Sequence, residues 1–157
     1  MGSFKLVGNL TPKYFIMNRL YQAIVFISIL SCNSNLKYTE TEKGQAKQFI
    51  ESLNLDMQSI KISNSENDST KIDAENISRI LFFKTHALLK AEEIPNSVLL
   101  KMNKDLPENY SKYKKGLALR IDNLKNGNLK AEMEGSRLIN EWADWYDVNK
   151  GNIKIPK

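Results

Sequence analysis

Residues 110–146, YSKYKKGLALRIDNLKNGNLKAEMEGSRLINEWADWY, repeat apolar side chains every three or four positions along the chain. That spacing is typical of an amphipathic α-helix, because residues three and four apart lie on the same helical face. The stripe consists of Tyr110, Tyr113, Leu117, Ile121, Leu124, Ala131, Leu138, Trp142 and Trp145. The stretch therefore predicts a helical structure that buries one face against the rest of the chain.

The tripeptide Asn126-Gly127-Asn128 lies in the middle of this stretch and leaves two interpretations open. Glycine accepts the left-handed backbone that ends many helices, and asparagine is a good first cap of a new one, so a break into two helices is favoured. Lys125 before the break and Glu132 after it also suit the helix dipole. The competing interpretation is one long helix, because the near-heptad spacing continues through the tripeptide.

The chain before residue 110 shows the same helical period. Thr39 and Glu42 form a capping box in front of a predicted helix over about 40–60. Asp73 is placed to cap a second helix, which Pro95 ends near residue 93. Apolar residues surround most of the circumference of this second helix, which predicts a central position in a bundle.

A short helix from about 96 to 104 follows, and Pro107 closes it. Asp105 with Glu108 predicts the cap of the next helix. Lys150 and Gly151 end the last helix, and residues 151–157 form a tail. No segment alternates with a period of two residues, so the sequence predicts an all-α fold: a small bundle of four or five helices within a single domain at 40–150.

The overall charge gives little support for a nucleic-acid partner. The formal net charge is +5, from 23 basic and 18 acidic residues. Three of the basic residues precede Cys32 and all the acidic ones follow it, which leaves 20 basic against 18 acidic residues from Cys32 onward. This excess is too small to attract a polyanion, so we expect no nucleic-acid partner.

An apolar run, LYQAIVFISIL at residues 20–30, is preceded by Arg19 and followed by small or polar residues. A membrane-spanning helix needs about 20 apolar residues, so this run has roughly half the required length. It is typical of the core of a signal peptide. We expect residues 1–31 to be that signal, with translation starting at Met17 because this start gives a compact leader.

The four residues Ile29-Leu30-Ser31-Cys32 resemble the lipobox of bacterial lipoproteins. The resemblance implies cleavage before Cys32, a diacylglycerol attached to its thiol, and residues 32–39 as a polar tether. It also implies a location in the bacterial cell envelope, and Asn33 after the cysteine is compatible with the outer membrane. One acyl chain binds a membrane marginally, whereas two or three hold a protein stably, so the membrane would be a partner through these chains.

The sequence offers few groups for metal binding or nucleotide chemistry. His86 is the only histidine and lies at the edge of an apolar surface, so we expect it to have a structural role. With Cys32 as the only cysteine, zinc and copper sites lack ligands. Residues 64–75 follow an EF-hand calcium register, but Ser69 stands where the loop needs glycine. No glycine-rich phosphate loop is present, so we expect no cofactor and no metal.

The densest group of functional side chains is EMEGSRLINEWADWYDVNK, residues 132–150. Arg137 lies at helical neighbour spacing from Glu134 and Glu141, and Glu141 shares a face with Asp144. The aromatic residues of this segment are typical of a helix core. If the bundle leaves them partly open, the segment forms a binding patch of Arg137, Glu141, Trp142, Asp144, Trp145 and Tyr146.

Three classes of function fit these observations. The leading hypothesis is a lipid-anchored, non-catalytic binding or scaffolding module that presents a helical surface to another envelope protein. The second is a carrier of a small apolar ligand or lipid, with the bundle around Phe82, Phe83 and Trp142 opened into a cavity. The third is an enzyme that uses Glu141 and Asp144 as acid and base, with Arg137 orienting an anionic substrate.

Overall fold

The computed structural model describes residues 37–64 and 74–156. Within these ranges the chain forms five α-helices, one 3₁₀ turn and no β-strand, so the predicted all-α bundle is confirmed. The elements are α1 Glu40–Asn64, α2 Ala74–Glu92, α3 Asn96–Met102, α4 Leu106–Asn126, α5 Leu129–Asn149 and the 3₁₀ turn Lys150–Asn152.

Helix α1 begins at the predicted capping box. The backbone N–H of Thr39 donates to Glu42 Oε2 at 2.8 Å, and the Glu42 N–H donates to Thr39 Oγ1 at 3.2 Å. These reciprocal bonds satisfy two of the backbone donors that a helix leaves unpaired at its start. The helix continues to Asn64, past the predicted end near residue 60, and Ile62 in this extra turn is buried.

Helix α2 buries one stripe rather than its whole circumference, which corrects the prediction of a central helix. Ile80, Ala87 and Ala91 are buried, whereas Phe82 and Leu89 on the opposite face are 54% and 56% exposed. The reason is that α2 packs on α1 and α4 only along part of its surface, so its outer face meets no other described helix. The predicted cap Asp73 lies outside the described residues.

The connection from α3 to α4 differs from its prediction. Asp105 makes no side-chain capping bond; instead its backbone N–H donates to Asn103 Oδ1 at 2.9 Å. The Asn103 side chain thus occupies the turn that Asp105 was expected to organise. Pro107 does not close α3 but lies in the first turn of α4, where its missing N–H costs no helical hydrogen bond.

The favoured break between α4 and α5 is confirmed. Gly127 has a φ of +67° in the left-handed region, and its N–H donates to Asn123 O at 2.8 Å. Asn128 then caps α5 by accepting the Ala131 N–H on Oδ1 at 3.1 Å. The local capping chemistry therefore outweighs the continuous apolar spacing.

The four long helices run alternately in opposite directions, with α1 packed on α2, α2 on α4 and α4 on α5. Short α3 covers α1 and α4 at the end where α1 begins, which we call the α3 end. The opposite end contains the α4–α5 turn and is called the Gly127 end. Two glycines bring α4 and α5 close together: a Cβ added at Gly135 would lie 3.0 Å from Gly116 O.

The segment predicted as a tail is packed against the bundle through residue 156. Ile153 is buried, and the Lys154 N–H donates to Met102 O at 2.9 Å. The Tyr38 hydroxyl donates to Lys154 O at 3.3 Å. The start and the end of the described chain therefore meet at the α3 end.

Candidate functional site

The aromatic half of the predicted binding patch lies in the core. Trp142 and Tyr146 are 1% and 2% exposed, as is typical of aromatic residues in a helix core, so they are not open to form the conditional binding patch. Trp142 packs with Tyr110 at a ring-centroid distance of 5.5 Å, and Phe49 of α1 lies 5.1 Å from Tyr110. Trp145 is half-buried against this cluster. These rings fill the centre of the bundle near the α3 end.

A hydrogen-bond network connects the aromatic core to α1. Ser52 Oγ lies 2.5 Å from the Tyr110 hydroxyl and also donates to Phe49 O at 2.8 Å. The Tyr113 hydroxyl donates to Ser52 O at 3.2 Å. Burial raises the pKa of both tyrosines above the ordinary value of 10.0. These phenols act as buried, neutral links between α1 and α4.

The charged half of the patch is a surface ion cluster on α4 and α5. Arg137 donates through Nε and Nη2 to the two carboxylate oxygens of Glu134, both at 2.8 Å, and through Nη1 to Glu141. Lys112 Nζ lies 3.2 Å from the second oxygen of Glu141. The hydrogen bond from Arg137 lowers the pKa of Glu134. Asp144 is exposed and takes no part in these ion pairs.

This geometry weakens the enzyme hypothesis. A general base needs a carboxylate that is free to take a proton from substrate. Each oxygen of Glu141 already faces a cation, one from Arg137 and one from Lys112. The cluster instead holds α4 and α5 together at their surface, where exposed ion pairs add little to stability.

The described contacts of His86 lie within its own helix. Its Nδ1 lies 2.8 Å from Phe82 O, one helical turn earlier, and its ring lies 4.0 Å from the Phe82 ring. Both contacts are within α2, and the side chain is half-buried. The described residues contain no group of three or more His, Cys, Asp or Glu side chains placed to hold a metal ion. The calcium register at 64–75 lies mostly outside the described residues.

A buried ion pair that the sequence interpretation missed joins α1 to α2. Lys84 Nζ donates to Asp56 Oδ1 at 2.8 Å, and each side chain is only 4% exposed. Ser59 Oγ lies 3.1 Å from the same carboxylate oxygen. Burial lowers the pKa of Lys84, and the neighbouring Asp56 carboxylate opposes this shift. The sequence carries a signal for this pair, since each apolar stripe contains one charged residue. Asp56 lies four residues before Ile60 in α1, and Lys84 lies four residues after Ile80 in α2.

A second charged pair, Arg120 on α4 and Glu132 on α5, lies on the other two long helices. We call Asp56, Lys84, Arg120 and Glu132 the charged layer. Arg120 Nε lies 3.4 Å from Glu132 Oε1, and Glu132 also accepts from Asn123 at 3.3 Å and Ser136 at 3.1 Å. Arg120 Nε is buried without a hydrogen bond of good geometry. The bundle thus has an aromatic half near the α3 end and a charged layer nearer the Gly127 end.

The outer face of α5 carries three apolar side chains that nothing in the described chain covers. Leu129, Met133 and Val148 are 75%, 77% and 79% exposed. With Arg137 and Asp144 they lie within about 100° of arc on one side of the helix, opposite its buried stripe. We call these five residues the α5 outer stripe. The stripe thus carries apolar side chains at both ends and charged side chains in its middle.

The comparisons with known proteins give no relative on which to model a function. No protein-family model, curated protein or solved structure matches this chain. Each described helix is too short or too polar to cross a lipid bilayer. Cys32 and the apolar run before it lie outside the described residues. The class of this protein is therefore given by its fold alone, a small antiparallel helical bundle. Its function has to be inferred from its own residues.

Proposed function

We propose that this chain is a lipid-anchored protein of the bacterial cell envelope that binds another envelope protein and catalyses no reaction. The observation that carries the anchor is the lipobox-like sequence Ile29-Leu30-Ser31-Cys32. Diacylglycerol on Cys32, with a further acyl chain on its amino group, would supply enough buried methylene groups for stable attachment. The outer membrane is the proposed site, since Asn33 follows the cysteine.

The α5 outer stripe supports binding as the task of the domain. Single exposed apolar side chains are normal on protein surfaces, so the support comes from the three of them sharing one face of α5 with two charged side chains. Leu129 and Met133 lie one turn apart, and Val148 lies four turns farther along the same face. A helix or flat surface of another protein could bury all three, with Arg137 and Asp144 setting its orientation.

Packing in the core supports a binding module over a lipid carrier. A carrier needs a cavity among the apolar side chains at the bundle centre. Here Trp142 packs on Tyr110, Tyr113 and Tyr146 with ring centroids 5.1–5.6 Å apart. Of the two phenylalanines suggested for a carrier cavity, Phe82 is on the outer face of α2, and Phe83 is partly exposed with its ring 5.4 Å from that of Phe82.

Site-specific photo-crosslinking in intact cells tests the binding function. A photo-reactive amino acid at Met133 or Val148 should form one discrete adduct with the same envelope protein. The matched control is Gln58, an exposed polar position on α1, which should form none. Met133→Asp should abolish the Val148 adduct while the circular dichroism of the protein stays unchanged. Adducts of equal yield at all three positions, or at none, would refute the assignment.

A further inference from the structure

The α3 end is the part of the bundle that the proposed anchor would hold nearest the membrane. The described chain enters there: Lys101 Nζ donates to Lys37 O at 3.5 Å and pairs with Glu42 at 2.5 Å. Only five residue steps separate Cys32 from Lys37. Even a fully extended chain of that length reaches about 17 Å, so the α3 end cannot move far from the lipid headgroups.

The chemistry of this end suits a lipid surface. Leu100 on α3 is 55% exposed. Lys37, Lys104 and Lys154 are also exposed, and none of these three lysines forms an ion pair with another described residue. Leu100 can enter the headgroup region while the lysines meet lipid phosphates.

Acidic groups at the same end offset part of this charge. Asp105 and Glu108 are exposed at the start of α4, and Glu42 is neutralised by Lys101. Four further carboxylates at this end are each paired with a lysine: Glu40, Glu92, Glu93 and Asp147. The lysines therefore provide local contacts rather than a strong overall field. Local contacts are sufficient for a surface that is already tethered, because the anchor supplies a high effective concentration.

We infer that the α3 end docks on anionic phospholipid, with Leu100 inserted at the interface and Lys37, Lys104 and Lys154 against the phosphates. This inference rests on the proposed anchor at Cys32 and adds an orientation to it. The bundle would stand with the Gly127 end and the charged layer away from the membrane. Each lysine at the surface would raise the ratio of docked to undocked protein roughly five-fold.

Fluorescence of the full chain, lipidated in cells and reconstituted into phosphatidylglycerol vesicles, tests the orientation. Leu100→Cys carries an environment-sensitive dye, and Met133→Cys is the matched control because it is also exposed but lies near the Gly127 end. We expect blue-shifted emission and quenching by nitroxide-labelled lipid at position 100 only. Adding Lys104→Glu and Lys154→Glu should reduce the ratio of docked to undocked protein by at least about tenfold.

The outcomes separate docking from anchoring. Protein that floats with the vesicles but shows water-like emission at position 100 would overturn docking while the anchor stands. Equal blue shifts at positions 100 and 133 would overturn the orientation. Docking that is unaffected by the two lysine substitutions would overturn the role of phosphate contacts. Protein that fails to float and whose Cys32 takes up the dye would overturn the anchor and this inference together.

Discussion

Replacing Lys84 by methionine should destabilise the bundle more than any surface substitution. Lys84 and Asp56 are each 4% exposed and 2.8 Å apart, so Lys84→Met leaves the Asp56 carboxylate buried without its cation. The Ser59 hydroxyl is then its nearest remaining donor. Removing one member of such a pair costs about 3–5 kcal/mol. This loss is a large part of the roughly 5–15 kcal/mol that stabilises a typical domain.

A double variant distinguishes the effect of breaking the ion pair from the effect of losing side-chain packing at position 84. The double variant Lys84→Met with Asp56→Leu removes both charges, and we expect its free energy of unfolding to lie within about 1 kcal/mol of the original protein. Lys115→Met makes the same chemical change at an exposed site and should alter the free energy by less than about 0.5 kcal/mol. The double variant should therefore be more stable than Lys84→Met alone.

Urea unfolding followed by tryptophan fluorescence provides the measurement, since Trp142 is 1% exposed in the folded protein. In thermal unfolding, Lys84→Met should lower the Tm by about 12–20 °C, at about 4 °C per kcal/mol for a domain of this size. A free energy of unfolding for Lys84→Met within about 1 kcal/mol of the original protein would refute the cost assigned to the unpaired Asp56 carboxylate. A double variant less stable than Lys84→Met alone would refute it as well.

Two further outcomes follow from glycine packing and from buried phenols. Gly135→Ala should lower the free energy of unfolding in urea by about 1–3 kcal/mol, because its Cβ would lie 3.0 Å from a backbone oxygen of α4. Gly44→Ala has open space around the added Cβ and should raise the free energy of unfolding by about 0.4–1 kcal/mol. Equal effects of the two substitutions would contradict this account. Burial raises the pKa values of Tyr110, Tyr113 and Tyr146, so the stability that comes from keeping them neutral is present below pH 10 and lost as the pH rises above it. An ultraviolet titration should show these phenols ionising only as the protein unfolds, and their ionisation near pH 10 in the folded state would contradict it.

Features encoded by neighbouring residues could be predicted from the sequence. The capping box at Thr39 and Glu42 and the break at Gly127 depend on side chains within four residues of each other. The helical period likewise depends on local spacing. Asp105 shows the limit of such reasoning, since a competing side chain only two residues away, Asn103, accepts its backbone N–H.

Features that depend on which helices meet could not be predicted. Asp56 and Lys84 are 28 residues apart, and only the pairing of α1 with α2 brings them together. Trp142 and Trp145 belong to the same apolar stripe, yet one is buried by α1 and α4 and the other is only half-buried. Phe82 and Leu89 are among the apolar residues from which a central α2 was predicted, because the sequence does not show that one side of this helix stays uncovered.

The most direct test of the proposed function is the intact mass of the protein isolated from membranes of cells that express the full chain. The account predicts a polypeptide that begins at Cys32 and carries a diacylglyceryl group on the thiol. Cys32→Ala should lack this mass and leave the membrane fraction, whereas the helical bundle itself stays folded. A membrane-isolated chain that retains residues before Cys32 and has a free thiol would contradict the account.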